Sequence, residues 1–294
     1  MRDIKMICLL HCTGETPGML LAKSCMKDYN IKHGTIKLGT LHEYKTTELK
    51  HIADPQEGYL KFKLKFDGTV EVEPKWFNAL AGRAIQIGHE APIRYPGKTN
   101  AQFKIMNIVR ADAGKIILKN SEAIIERESL NGFVYCMSQV RKTRDCKNIF
   151  PEYDDYWFIS EIKAMQFGVT LGGILRNAII AGRASGKHLV PESMSIENFS
   201  VNIEMGLVQY IPREIHVSDG ETFKLDDFMN KMASIAFIKP PIPFAKEREY
   251  RFNYTIISDN KIIEPSVKYT ILDSTPLQDL VMQIDLTDQP IITA

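Results

Sequence analysis

From residue 59 to residue 66 the side chains alternate without exception, with Leu60, Phe62, Leu64 and Phe66 on one side and Lys61, Lys63 and Lys65 on the other. A period of two suits only an extended chain with one buried face. Asp67-Gly68 follows, and residues 69–72 resume the β-branched pattern, so this stretch predicts a β-hairpin turning at Asp67-Gly68. Further strands are expected at 6–11, 35–44, 103–109, 115–118, 133–138, 157–162, 207–211 and 249–256. Helices are fewer. The clearest covers 224–236, where Leu225, Phe228, Met229, Met232 and Ile235 recur at helical spacing. Thr16 as N-cap and Pro17 as first helical residue predict a second, running to about Lys27. Residues 170–180 fit helix and strand equally.

These elements define a strand-rich α+β class. With no internal repeat, low-complexity tract or linker-like shift in composition, the expectation is a single domain over 1–294 with long inserted loops at 45–58 and 141–155. Loops of that length tend to be functional, so both are candidates for covering a site.

Composition narrows the function classes. An apolar share of 44% and a charged share of 25% are those of a globular chain, which argues against disorder. Thirty-seven basic against thirty-six acidic residues leave +1, so whole-chain charge gives no attraction to nucleic acid or membrane, and only a local basic groove could supply one. No export-type leader and no run of about 20 apolar residues is seen, which points to a cytoplasmic protein without membrane contact. The five cysteines are odd in number and lack a CxxC pair, and the seven histidines show no HExxH, so neither a disulfide framework nor a metal is expected. GxGxxG, GxxxxGK[ST] and GxSxG are absent, which removes Rossmann, P-loop and serine-hydrolase readings.

The stretch most suggestive of chemistry runs from Phe237 to Phe252. Pro240, Pro241 and Pro243 prevent regular structure, after which Tyr250, Phe252 and Tyr254 alternate with Glu249, Arg251 and Asn253. As one strand, this segment projects Glu247 and Glu249 to the same side. Two carboxylates so placed raise one another's pKa unless a cation intervenes, and Arg248 and Arg251 are both near enough in sequence to be that cation. An edge strand with a solvated, salt-bridged outer face accounts for the same pattern. The run from Asn131 to Ser138 reads as a buried strand ending in a hydroxyl, although Ser138 also suits an ordinary loop start. His11, Cys12 and Thr13 close the first strand; adjacent residues on a strand face opposite ways, so His11 and Cys12 do not form a thiol–imidazole pair. Tyr44, after Gly39-Thr40-Leu41-His42-Glu43, suits stacking on a planar ring or closure of a core. Arg141, Lys142 and Arg144, just beyond Ser138, belong to the densest basic run, which also suits a solvated loop. Asp54, Glu57, Asp154 and Asp155 lack the spacing of a nuclease metal site.

In this order, a histidine closing the first strand, a strand ending in Cys136-Met137-Ser138 and the late Glu247-Arg248-Glu249 resemble the scattered signature of the ADP-ribosyltransferase superfamily. The chain is also similar to a bacterial family of unknown function that shares the Gly39–Tyr44, Asp54–Gly58, Cys136–Ser138 and Glu247–Arg251 pieces. Within the superfamily it most resembles mRNA-modifying toxins of toxin–antitoxin–chaperone phage-defence systems. The resemblance implies a split β-sheet core, NAD as ADP-ribose donor, single-stranded RNA as acceptor, and an antitoxin and a chaperone as partners. It implies Glu249 as catalytic carboxylate, Glu247 orienting or deprotonating the acceptor, His11 and Thr13 beside a ribose with Cys12 between them, Ser138 bracing the glutamate, and Tyr44 stacking on nicotinamide. Arg141, Lys142 and Arg144 would line an RNA groove. Histidine on the first strand is typical of one branch, whereas the serine and Glu-x-Glu are typical of the other, where arginine is usual; which glutamate is catalytic therefore stays open. An NAD glycohydrolase and an inactive nucleotide-binding module of the same fold are the alternatives.

Overall fold

The computed structural model describes residues 18–47, 54–82, 84–89, 93–112, 114–218 and 224–284, together with the backbone of Ile4–Cys8. The chain is a strand-rich α+β protein. Its contacts divide it into two compact units, 1–55 with 131–209 and 242–294, and 56–130 with 210–241, where the sequence suggests one domain with inserted loops. Numbered along the chain, the strands are β1 (Ile4–Cys8), β2 (Leu20–Cys25), β3 (Thr35–Thr40), β4 (Tyr59–Val72), β5 (Lys98–Ile105), β6 (Ile108–Ala111), β7 (Ile116–Glu128), β8 (Phe133–Val140), β9 (Asp155–Ser160), β10 (Phe199–Leu207), β11 (Gln209–Tyr210), β12 (Glu214–Val217), β13 (Ile238–Lys239), β14 (Glu249–Ser258), β15 (Lys261–Ile263), β16 (Tyr269–Asp273) and β17 (Met282–Gln283). The main helices are α1 (Leu41–Thr46), α2 (Pro74–Leu80), α3 (Ala164–Ser185) and α4 (Leu225–Lys231).

The first unit is built on a sheet of order β1-β10-β14-β8-β2-β9-β17, with β3 and β16 branching from β8 and β15 from β14. Helix α3 covers one face through Phe167, Leu171, Leu175 and Ile179, an i, i+4, i+8 stripe that meets Phe252, Tyr254, Ile203 and Trp157 in the core. Residues 170–180 are therefore helical. Gly168 and Gly172 weaken the local helix signal, and their role lies in packing: a Cβ at Gly168 would stand 2.9 Å from Phe252 and one at Gly172 2.9 Å from Ile203. The helix stops at Gly186, which takes the left-handed conformation (φ 75°). With the turn before it, α3 has the length and hydropathy of a membrane span, but its apolar stripe is packed on the sheet.

Strand pairing overturns two of the expectations. The helix expected at 16–27 is strand β2 from Leu20, hydrogen-bonded to β9 throughout and to β8 over Leu20–Ala22. An interior strand buries both faces and so shows no alternation to read. The expected hairpin at Asp67-Gly68 is a bulge within β4, which continues to Val72 along β7. Gly68 takes φ +71° as a turn would, and its N–H donates to Asn120 Oδ1 (2.9 Å) on the neighbouring strand.

In the second unit the order is β12-β4-β7-β5, with β6 also on β7. The Leu60/Phe62/Leu64/Phe66 face forms its core with Trp76, Phe77 and Leu80 of α2 and with Phe228 and Met229 of α4. The helix expected over 224–236 is α4 followed by a tighter 3₁₀ segment, Met232–Phe237, broken at Ser234. Arg127 of β7 is 1% exposed and is held by oxygens alone: Nε and Nη2 donate to Met232 O (3.3 and 3.0 Å), Nη1 to Lys98 O (3.2 Å) and Thr99 Oγ1 (2.5 Å), and Nη2 to Pro96 O (2.8 Å). The Tyr95 ring lies 4.7 Å from the guanidinium, and burial pulls the Arg127 pKa down to about 10.

Candidate active site

Strand β14 lies between β10 and β8 and is not the edge strand that a salt-bridged outer face would suggest. The alternation read from the sequence holds. Phe252 and Tyr254 point into the core, while Glu249, Arg251 and Asn253 share the other face and are also buried. The antiparallel register sets Glu249 directly opposite Ser138 and Arg251 opposite Cys136 on β8. Directly opposed residues on neighbouring strands share a face at about 5 Å between Cβ atoms, so this register alone brings the serine to the glutamate.

The strand starts at Glu249 and no earlier. Ala245–Glu247 form a 3₁₀ turn, and Arg248 takes the left-handed conformation (φ 43°). That break interrupts the two-residue period, so the expected same-side placement of Glu247 and Glu249 on one strand does not hold. Glu247 sits in the turn just ahead of the strand. The break also assigns the two arginines. Arg248 Nη2 donates to Gln139 Oε1 (2.8 Å), and Gln139 Nε2 in turn donates to both Glu161 oxygens (3.1 and 3.2 Å), which ties the ends of β8 and β9 together. Arg251 is the cation for Glu249: Nε donates to Oε1 at 2.5 Å and Nη2 to Oε2 at 3.4 Å, with the two residues 2% and 4% exposed.

Burial first, then the Glu249 charge, push the Cys136 thiol well above the ordinary thiol range. Such a thiol is a poor nucleophile.

The sheet forks at this point. The edge of β8 away from β14 pairs with β2 at Ser138–Val140 and with β3 at Phe133 and Val134, leaving Tyr135, Cys136 and Met137 between the two. Lys23 enters the fork, donating from Nζ to the Cys136 carbonyl (2.9 Å) over the Tyr135 ring (4.8 Å from the centroid). Burial lowers the Lys23 pKa, opposed by the charge of Glu249.

Tyr44 is carried by α1 and not by the strand expected over 35–44, because Thr40 ends β3 and caps the helix, its Oγ1 accepting from Glu43 N–H (3.2 Å). Burial raises the Tyr44 pKa well above its ordinary value, and the charges of Glu43 and Glu249 add to it. Gly39 makes room for two α1 side chains: a Cβ there would meet the Glu43 carboxylate first and would stand 3.2 Å from Tyr44 Cε2. Gly39→Ala is expected to lower stability by roughly 1–3 kcal/mol in chemical denaturation. Introduced into a Glu43→Ala/Tyr44→Ala background, Gly39→Ala should lose most of its cost, and an unchanged loss there would place the strain elsewhere.

The strand register brings Ser138 and Glu249 together, and Tyr44 packs beside Gly39 on the neighbouring strand β3. Arg141, Lys142 and Arg144 are exposed on the turn and the 3₁₀ helix Thr143–Asn148 that follow β8. His11, Cys12 and Thr13 lie outside the described residues; β1 runs parallel to β10 and ends with Cys8 level with Met205, Phe252 and Tyr135 across the sheet. Sequence reasoning missed Cys136, Lys23 and the Gln139–Glu161 brace. The first had a usable signal, since it stands two residues before Ser138 on the same strand face. Among the described residues no group of three or more His, Cys, Asp or Glu side chains is placed to hold a metal ion. Comparison with protein-family models, with curated proteins and with solved structures finds no match to this chain.

Proposed function

We propose that the chain is an NAD-dependent ADP-ribosyltransferase that uses Glu249 as its catalytic carboxylate. The observation that carries this reading is the direct cross-strand pairing of Glu249 with Ser138 on central strands. Cleavage of the bond between the ribose anomeric carbon and nicotinamide nitrogen sends the bonding electrons to nicotinamide and leaves positive charge on the ribose. A carboxylate beside that ring, accepting from a ribose hydroxyl, stabilises the transition state more than the ground state. The acceptor then bonds to the anomeric carbon and gives up its proton, and Glu247, in the turn before the strand, is the proposed base. Ser138 braces Glu249 and the ribose, Tyr44 stacks on the nicotinamide, and His11, Cys12 and Thr13 complete the nucleotide side.

The acceptor proposed is single-stranded RNA, drawn to the site by Arg141, Lys142 and Arg144. The setting proposed is a cytoplasmic toxin that blocks translation in phage defence, held in check by an antitoxin and a chaperone. Water in place of RNA would make the same site an NAD glycohydrolase.

One observation favours a second reading, a binding module without turnover: Arg251 reaches both oxygens of Glu249. The readings separate when purified protein is given NAD labelled in its ADP-ribose half together with RNA, DNA or cell-extract protein. Label on RNA supports the proposal, nicotinamide release without transfer supports the glycohydrolase, and NAD binding with neither supports the inactive module.

A further inference from the structure

The two edges of the second unit's sheet are finished differently. On β12 the exposed positions are ionic: Glu214 pairs with Lys65 (2.5 Å) and His216 with Asp67 (2.5 Å). Charged side chains of this kind keep an edge from adding strands. The opposite edge, formed by β5 and β6, has β7 as its one partner among the described residues. Every residue from Lys104 to Arg110 is exposed, including Ile105 (51%), Met106 (38%), Ile108 (38%) and Val109 (60%). Four large apolar side chains in five positions span the bulged break between β5 and β6, and their exposed apolar surface on an edge without a neighbouring strand among the described residues suits contact with an added one.

The charge around them indicates what that strand is. From Lys98 to Ala111 the chain carries Lys98, Lys104 and Arg110 and no acidic residue. If two copies of this edge paired antiparallel about Asn107, Lys104 of each would face Arg110 of the other, and like charges directly opposed are destabilising. The same two cations favour a strand with a carboxylate near each end. The exposed Arg110–Asp112 pair is a weak competitor for such a partner.

We infer that residues 104–111 form a docking edge for a partner protein, which adds an extended apolar segment flanked by acidic residues as a further strand of this sheet. Main-chain hydrogen bonds supply the affinity, Ile105, Met106, Ile108 and Val109 the apolar contact, and Lys104 and Arg110 the selection against self-pairing.

The test uses the full chain and two fluorescent peptides, Glu-Val-Thr-Ile-Thr-Val-Glu and its counterpart with lysine at both ends. The acidic peptide is expected to bind roughly tenfold tighter than the basic one, with amide-exchange protection confined to 104–111. The double reversal Lys104→Glu/Arg110→Glu, at exposed positions, should invert that preference. Equal affinity for both peptides, binding of neither, protection elsewhere, or concentration-dependent self-association through this edge would each overturn the inference.

Discussion

Replacing Arg127 by leucine is expected to destabilise the second unit by at least ~3 kcal/mol, because three main-chain carbonyls lose their donor at once. Pro96, Lys98 and Met232 all accept from this one guanidinium, and it is 1% exposed. Each buried acceptor left unpaired costs about 1–3 kcal/mol. Leucine restores apolar contact but no hydrogen bond, and lysine restores charge without the planar fork that reaches carbonyls on three segments, so Arg127→Lys should recover only part of the loss. Chemical denaturation gives the magnitude, and amide exchange along Lys98–Ile105 and Ile116–Glu128 locates it. A loss below about 1 kcal/mol would show that water reaches these carbonyls or that the guanidinium does not hold them.

Arg251→Met should cost a comparable amount for a different reason. Met occupies similar volume but strands the Glu249 carboxylate, 4% exposed, without its guanidinium. Breaking one half of a buried pair typically costs about 3–5 kcal/mol, whereas replacing both halves with neutral groups is often far cheaper. The double variant Arg251→Met/Glu249→Gln is therefore expected to be more stable than Arg251→Met alone, and the cycle measures the coupling of the two side chains. Additive losses would mean that Glu249 does not depend on Arg251 in the folded chain.

How much of this was legible in the sequence depended on whether a signal was local. The alternation at 59–66 and at 249–254 reports one-faced packing directly, and both segments are strands with those faces as read. Asp67-Gly68 misleads because a turn and a bulge make the same demand on glycine, a positive φ, and only the distant partner strand Ile116–Glu128 decides between them. Leu20–Cys25 misleads because its neighbours on both sides come from residues more than a hundred positions away. In the site, the pairing of Ser138 with Glu249 followed from the resemblance and from no pattern of spacing. The choice between Arg248 and Arg251 as the partner of Glu249 rests on a single left-handed residue ahead of the strand, a tertiary outcome with no glycine or asparagine at that position to announce it. The edge at 104–111 was readable only as a strand candidate; its exposure belongs to the fold.

The proposal stands or falls on whether Glu249 cleaves NAD. The direct measurement is the rate of nicotinamide release from NAD by the wild-type chain and by Glu249→Gln, each shown by circular dichroism to be folded and by calorimetry to be tested for NAD binding. The predicted result is release by the wild type and a roughly hundred- to thousandfold slower rate in Glu249→Gln with binding retained, as expected when a group that acts on developing charge is lost. Equal rates in the two proteins, or a wild-type chain that neither binds nor cleaves NAD, would contradict it.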